Sequence, residues 1–157
     1  MIYQLHKSQQ LNCDLKTAWE FFSSPNNLSR ITPKEMNFTV LSNLEHESIY
    51  QGMEIEYKVS PLFGIPMHWC TEITQVNYQQ NFTDFQKKGP YKLWKHFHEF
   101  IPNEQGVLMK DTVDYELPLG FLGTIGNTLL VRKKVQHIFD YRFKILEQLF
   151  NTQNPFV

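Results

Sequence analysis

The sequence has few cysteines, no excess of charge of either sign and no long hydrophobic run. Cys13 and Cys70 lie far apart and outside any CxxC or Cys/His motif, which argues against a disulfide framework or a zinc knuckle. The 15 Lys and Arg residues against 16 Asp and Glu give a net charge of −1. That balance offers no basic surface for nucleic acid or an anionic membrane. Without a signal-peptide core or a membrane-length apolar run, we expect a cytoplasmic protein without integral membrane association.

Aromatic residues, by contrast, are abundant. The 157 residues include 13 Phe, 7 Tyr and 3 Trp, or 15% of the chain, while all hydrophobic residues together make up 41%. The length suits one domain, residues 1–157, which buries roughly 70% of its unfolded surface without disulfide or metal crosslinks. The large flat side chains therefore either fill a thick core or line a cavity.

The period of the apolar residues predicts the elements in chain order. Alternation predicts an opening strand at 2–11, and Asp14 is the predicted N-cap of a short helix that a second helical turn follows, ending before Pro33. A period of two between 38 and 117 predicts an antiparallel meander, with turns at 87–90 and 102–106. Beyond Pro118, one long helix is predicted to about Phe150, followed by a loose tail at 151–157. Its apolar stripe is Val131, Val135, Ile138, Phe139, Phe143, Leu146 and Leu149.

This order of elements predicts an α+β fold. A curved antiparallel sheet of about seven strands wraps around the long C-terminal helix, and two short helices follow the first strand. A strongly curved sheet can grip a single helix without closing over it completely. Such a pair leaves room for a cavity between the sheet and the helix.

Strand parity brings polar and aromatic side chains together on one face of the predicted sheet. Side chains two residues apart share a face, so Trp94, His96 and His98 point together, away from Lys95 and Glu99. The same parity on the neighbouring strands gives a candidate inner face. Its members, the predicted ligand-binding residues, are Tyr57, Trp69, Thr71, Asp84, Gln86, Trp94, His96, His98, Asp111 and Tyr115.

Four ionisable residues of this face are the candidate catalytic residues: Asp84, His96, His98 and Asp111. Buried imidazoles and carboxylates need partners, so they form a structural network, anchor a ligand or act as a general acid and base. In the catalytic case, one histidine moves protons and a carboxylate orients it. A metal is the least favoured hypothesis, because a His-x-His pair supplies two ligands and the third must come from a neighbour such as Asp111. We therefore expect no metal and no cofactor.

The most specific pattern in the chain runs through this region. It reads Phe82-x-Asp84-x-Gln86-x-x-Gly89-Pro90-Tyr91-x-x-Trp94-x-His96-x-His98-x-Phe100, continued by Met109-x-Asp111-x-Val113-x-Tyr115-x-x-Pro118-x-Gly120-x-x-Gly123. With this pattern the chain resembles, over about residues 2–150, the START-type helix-grip superfamily called SRPBCC. The resemblance is to its small bacterial members, named cyclase/dehydrase-like or ligand-binding proteins. It implies a helix-grip fold and a pocket for a hydrophobic ligand, and brings no single chemistry with it.

Three functions follow as hypotheses. The first is binding of a small hydrophobic or amphipathic molecule, such as a lipid, quinone, isoprenoid or polyketide, between the sheet and the C-terminal helix. The second is a cyclase or dehydratase that uses a cavity histidine as general acid or base. The third is a protein-interaction module that docks through Leu62 and Phe63 of the apolar loop at 61–66. Close glycines, Gly120, Gly123 and Gly126, would allow either a tight crossing of helix over sheet or contact between ligand and helix backbone.

Overall fold

The computed structural model describes residues 1–44, 48–61, 64–118 and 125–152, with the backbone alone for 125–127. Within these ranges, seven strands form one curved antiparallel sheet in the order β1-β7-β6-β5-β4-β3-β2. The strands are β1 Ile2–Leu11, β2 Thr39–Val40, β3 Glu54–Val59, β4 Met67–Asn77, β5 Asn81–Lys88, β6 Leu93–Asn103 and β7 Gly106–Glu116. The first strand therefore lies beside the last, and β4, β5 and β6 occupy the middle of the sheet.

The helices lie at the two ends of the chain. Helix α1 spans Leu15–Phe22, and helix α2 spans Ile125–Leu146 and continues into a π-helical turn at Glu147–Asn151. Two 3-10 segments, Pro25–Ile31 and Lys34–Met36, follow α1. The predicted helix-grip α+β fold is confirmed. No helix in the described ranges is long and apolar enough to cross a membrane.

The start of α1 is capped as the sequence predicts. The Asp14 carboxylate accepts a 2.7 Å hydrogen bond from the backbone N–H of Thr17, which satisfies one of the free donors of the first turn. The second short helix is a 3-10 segment, in which Asn27 donates to the carbonyl of Phe21 and Ser29 to that of Asn26. Short polar side chains that bond nearby backbone groups compete in this way with regular α-helix.

Two turns of the meander differ from the prediction, because the strands before them are longer: the first lies at 89–92 and the second is shortened to 104–105. Lys88 still pairs with Cys70 of β4, and Pro102 pairs with Val107 across the β6–β7 hairpin. That hairpin closes at Gly106, whose φ of 123° favours glycine. A Cβ there would lie 2.3 Å from the carbonyl oxygen of Leu11, so glycine also lets the hairpin pack against the end of β1.

Helix α2 packs on the inner face of the sheet along one row of side chains. Val131, Val135, Phe139 and Leu146 are buried, and Phe139 contacts His96 at 5.4 Å between ring centroids. The predicted stripe is too wide, because Phe143 and Leu149 are each 42% exposed. Counted from Val131, the inward row runs in steps of four, four, three and four residues. Its fourth position is therefore residue 142, between Phe139 and Leu146.

The start of the predicted loose tail is fixed to the first strand. Asn151 donates to the carbonyl of Gln10 at 2.8 Å and accepts from the backbone N–H of Asn12 at 2.9 Å. The C-terminal end of α2 is therefore tied to β1, and residues 153–157 lie outside the described part of the chain. The same is true of Leu62 and Phe63, on which the interaction-module hypothesis rests, and of Gly120 and Gly123.

Candidate functional site

A cavity of about 160 Å³ lies between the sheet, α2 and the segments that follow α1. Most of its wall is aromatic or aliphatic. Its lining includes seven of the residues predicted to bind a ligand: Tyr57, Trp69, Thr71, Asp84, Trp94, His96 and His98. Strand parity therefore brings these seven side chains to one cavity, since β3, β4, β5 and β6 are adjacent in the sheet.

Gln86 belongs to the predicted set but does not line this cavity. Its side-chain Nε2 donates to the Tyr91 carbonyl at 2.7 Å, and its Oε1 accepts from the Tyr91 backbone N–H at 3.2 Å. A Cβ on Gly89 would lie 2.4 Å from the Gln86 Oε1. The Gln-x-x-Gly-Pro-Tyr part of the motif is thus explained by the turn between β5 and β6, which the Gln86 amide closes.

Tyr115 and Asp111 also lie beside the cavity without lining it. Tyr115 packs among the rings of Tyr3, Tyr91 and Trp94, with centroids 5.6 to 6.1 Å apart. Asp111 lies behind the two histidines, on β7, and is buried. Both residues therefore support the wall and do not form its surface.

Two histidines and two aspartates form a square across β5, β6 and β7. Asp84 is registered opposite His96, and Asp111 opposite His98. The hydrogen bonds run along the diagonals: His98 Nε2 lies 2.9 Å from Asp84 Oδ2, and His96 Nε2 lies 2.9 Å from Asp111 Oδ1. The two imidazole rings are tilted by 37° relative to each other, with their centroids 3.7 Å apart. Each carboxylate therefore has an oxygen within 3.6 Å of a nitrogen of both imidazoles.

Within the square, the Nδ1 atoms of both imidazoles lack a well-aligned hydrogen bond. His98 Nδ1 lies 3.0 Å from Asp111 Oδ1, but it has no hydrogen-bond partner of acceptable geometry among the described residues. His96 Nδ1 lies 3.6 Å from Asp84 Oδ2, beyond hydrogen-bond reach. Of the four side chains, Asp84 is the most accessible, with 20% of its side-chain surface exposed.

Arg142 of α2 completes the cluster, and it is absent from the residues predicted from the sequence. Its guanidinium Nη2 lies 3.5 Å from Asp111 Oδ1, and both side chains are 7% exposed. The guanidinium also lies over the rings of Phe22 and Phe139, at 5.4 and 5.8 Å from their centroids. The sequence signal that could have revealed Arg142 was its spacing. Residue 142 falls on the buried row of α2, where a charged residue requires a partner.

The electrostatics of the cluster favour ionised carboxylates. Burial opposes the charge on Asp111, but Arg142 and the neighbouring imidazoles outweigh it and hold the Asp111 pKa well below its usual range. Burial likewise opposes ionisation of Asp84, yet the imidazoles of His96 and His98 lower its pKa. Both aspartates therefore act as acceptors in the network.

The same surroundings shift the pKa values of the two imidazoles in opposite directions. Burial opposes the charged form of His98, but the carboxylates of Asp111 and Asp84 outweigh it and raise the His98 pKa. For His96, burial and the charge on His98 lower the pKa, and the carboxylates offset this only in part. With Arg142 and His98 charged against two carboxylates, the cluster is neutral overall while His96 is uncharged.

We expect the histidine pair to titrate in two steps, with His98 protonated at a higher pH than His96. As the pH falls, the first proton goes between the two carboxylates, and the second is disfavoured by His98 and Arg142. Histidine ¹⁵N chemical shifts, recorded by NMR in buffer with EDTA, would show both steps. Asp84→Asn should lower the pH of the first step, and His68→Gln on the surface should leave it unchanged. One shared transition for both rings would contradict the expectation.

The histidine geometry fits more than one of the sequence-based hypotheses. Each imidazole pairs with a carboxylate, as the structural-network hypothesis predicts, and both imidazoles also line the cavity, as the ligand-anchor and enzyme hypotheses require. The cyclase or dehydratase hypothesis therefore stays a prediction. Beyond the predicted residues, the cavity wall includes Phe22, Phe38, Phe82, Ile138, Phe139 and Arg142.

Comparison with known proteins identifies the fold. No family model matches the chain, and neither does any curated protein. Among solved structures, TTHA0849 from Thermus thermophilus is similar, with a TM-score of 0.70 and 16% identity over 93% of this chain and 95% of that one. Protein CV1439 from Chromobacterium violaceum has a TM-score of 0.66 and 12% identity, covering 96% of this chain and 99% of the other.

A plant protein has the same architecture. Ginseng major latex-like protein 151 from Panax ginseng has a TM-score of 0.58 and 16% identity, over 88% of this chain and 95% of that one. At these identities the similarity establishes the fold alone. The chain has the helix-grip fold, as its sequence motifs suggest.

Proposed function

We propose that this protein binds a small hydrophobic or amphipathic molecule in the cavity between the sheet and α2. The supporting observation is the composition of the wall, which is largely aromatic and aliphatic, with a polar cluster on one side. Ligand pockets combine apolar burial with a few polar groups that orient the ligand. Asp84, His96, His98 and Arg142 supply those groups here.

The size of the cavity limits what can be buried. A dry engineered cavity of roughly 150 Å³ holds one benzene molecule. The present cavity, at about 160 Å³, has similar room. The buried part of the ligand is therefore about one ring or a short chain. Of the ligand classes considered, a quinone or another ring with polar substituents fits best, and a lipid or a longer isoprenoid or polyketide extends outside the cavity.

The first experiment identifies what the protein carries. Native mass spectrometry and solvent extraction of the purified protein would detect a bound molecule, and a panel of lipids, quinones, isoprenoids and polyketides would then test for binding. Toluene and p-cresol, each a single substituted ring, serve as defined probes that match the size of the cavity. Calorimetry would measure their binding. A protein with no bound species and no affinity for any member of the panel or for either probe would overturn the proposal.

Filling the cavity is expected to abolish probe binding. Thr71 is buried on β4, lines the cavity and accepts a 3.1 Å hydrogen bond from Trp69 Nε1. In Thr71→Phe the ring occupies part of the space, so the affinity for toluene and p-cresol should fall below detection. Thr74→Phe is the matched control, because Thr74 is exposed on the same strand. Equal binding by both variants would place the probe elsewhere.

The cytoplasmic location is also part of the proposal. A mostly uncharged ligand matches the near-neutral charge of the chain, and the proposal requires no nucleic acid. Fractionation of the native cells, with an antibody against this chain, would test the location.

A further inference from the structure

The inner face of β5 and β6 brings one carboxylate and two imidazoles within coordinating distance of a single point. Asp84, His96 and His98 each offer a ligand atom, and these atoms lie within 4.8 Å of one another. We propose that the three residues bind a divalent first-row transition-metal ion on the wall of the cavity. This inference goes beyond ligand binding and does not depend on it.

The distances suit coordination by nitrogen and oxygen. Asp84 Oδ2 lies 2.9 Å from His98 Nε2 and 3.6 Å from His96 Nδ1. Two ligand atoms that are each about 2.1 Å from a tetrahedral zinc ion lie roughly 3.4 Å from each other. The ion would replace the proton between Asp84 and His98, and only small side-chain shifts would equalise the distances.

The remaining imidazole nitrogens face the carboxylate that such a site needs. When His96 Nδ1 and His98 Nε2 bind the ion, the free positions are His96 Nε2 and His98 Nδ1. These atoms lie 2.9 and 3.0 Å from Asp111 Oδ1. Metal-bound histidines almost always donate their other N–H to a carboxylate or carbonyl, which fixes the ring and its tautomer. Asp111 is therefore a positioning residue, and the unaligned His98 Nδ1 becomes a donor to it.

Charge also favours a cation at this point. The Arg142 guanidinium lies 3.5 Å from Asp111 and compensates the charge of that carboxylate. With both imidazoles neutral, Asp84 is left as an uncompensated carboxylate with one face open to the cavity. A divalent ion supplies that compensation, as a proton on His98 does without metal.

The donor set points to a class of metal. Two imidazoles and one carboxylate suit zinc, or iron in the 2-His-1-carboxylate arrangement, while magnesium and calcium prefer oxygen ligands. Because only three protein atoms are involved, the coordination shell keeps an open position, and the cavity lies on that side. A polar group of a cavity ligand could coordinate there.

Metal loading of the intact protein provides the test. After EDTA treatment and desalting, ZnCl₂, CoCl₂ or anaerobic FeSO₄ would be added, excess removed, and metal per chain measured by inductively coupled plasma mass spectrometry. We expect one zinc ion per chain and no retention of magnesium from MgCl₂. Cobalt-loaded wild type should show the d–d absorption of a low-coordinate nitrogen and oxygen site. The absence of both stoichiometric zinc and this absorption would overturn the inference without any variant.

Variants locate the ion. Asp84→Asn, His96→Gln and His98→Gln should each abolish zinc retention, with folding checked by circular dichroism. Asp111→Asn should weaken zinc affinity by about 10- to 100-fold, the usual effect of losing an orienting carboxylate. His68→Gln is the control, because His68 pairs with Glu56 on the protein surface. Retention in the three ligand variants with loss in His68→Gln would place the ion on the surface and contradict the proposal.

The outcome separates this inference from the proposed function. Toluene binding by metal-free protein that takes up no zinc would leave ligand binding intact and remove the metal site. Zinc binding by a protein that takes up neither probe nor ligand would support the metal site and overturn the proposal of ligand binding.

Discussion

Asp111→Ala is expected to lower the free energy of unfolding by about 3–5 kcal/mol, because it leaves a buried guanidinium without its carboxylate. Asp111 lies 3.5 Å from Arg142 and 2.9 Å from His96, and both aspartate and arginine side chains are 7% exposed. A loss of this size is a large share of the roughly 5–15 kcal/mol that stabilises a typical domain. Urea denaturation followed by circular dichroism, in buffer with EDTA, would measure it.

The matched control is Asp114→Ala on the same strand. Asp114 accepts a hydrogen bond from Gln4 at the surface, so its removal should change stability by no more than about 0.5 kcal/mol. The double variant Asp111→Ala/Arg142→Met should recover much of the loss, since removing both charges leaves none buried and unpaired. Equal effects of Asp111→Ala and Asp114→Ala, or no recovery in the double variant, would show that the buried charge is not the cause.

Much of the site follows from alternation alone. A strand's side chains alternate between faces, so Trp94, His96 and His98 share the inner face whatever the tertiary details. The adjacency of β5, β6 and β7 in an antiparallel meander then brings Asp84 and Asp111 to either side of the histidines. Local pattern was therefore sufficient for the polar residues that the strands contribute to the site.

The pairing within the wall was not accessible from the pattern. Asp84 is registered opposite His96 yet bonds His98, and Asp111 is registered opposite His98 yet bonds His96. Register fixes which Cα atoms face each other, but side-chain rotamers decide between direct and diagonal partners. For this reason the sequence suggested Asp111 as the third metal ligand, whereas the geometry favours Asp84, with Asp111 behind the histidines.

Arg142 was missed for a different reason. Binary patterning assigns arginine to the solvent side of a helix, and the apolar neighbours Phe139 and Phe143 made the stripe look continuous without it. In the structure Arg142 is buried and Phe143 is 42% exposed. The burial of Arg142 in place of Phe143 can be explained only when Asp111 is known to face α2, because a buried guanidinium requires a carboxylate partner.

The abundance of aromatic residues also has a physical explanation in two groups along β6. Phe100 packs with Trp19 and Phe82 toward one end of the strand, and Trp94 packs with Tyr91 and Tyr115 toward the other. The histidines occupy the positions between. A thick core and a cavity wall are therefore not alternatives here, since Phe82 and Trp94 each belong to a core cluster and also line the cavity.

Trp19→Ala is expected to cost about 3–5 kcal/mol in the free energy of unfolding, the usual loss for a buried Trp or Phe truncated to alanine. Trp19 is 4% exposed, and its ring makes edge contacts with Phe82 and Phe100 at centroid distances of 5.9 and 5.7 Å. Phe82 in turn stacks on His98 at 4.1 Å. The void would therefore loosen the ring that supports one side of the histidine pair.

Two variants isolate this effect in urea denaturation. Trp19→Phe keeps an aromatic ring in place and should lose less than half as much stability as Trp19→Ala. Tyr78→Ala removes the fourth ring of the group, but Tyr78 is 69% exposed, so its loss should not exceed about 1 kcal/mol. Because Trp19 does not line the cavity, Trp19→Ala that remains folded should still bind toluene, whereas Thr71→Phe should not. A Trp19→Ala protein with wild-type stability would mean that the aromatic cluster at this end of β6 contributes little to the core.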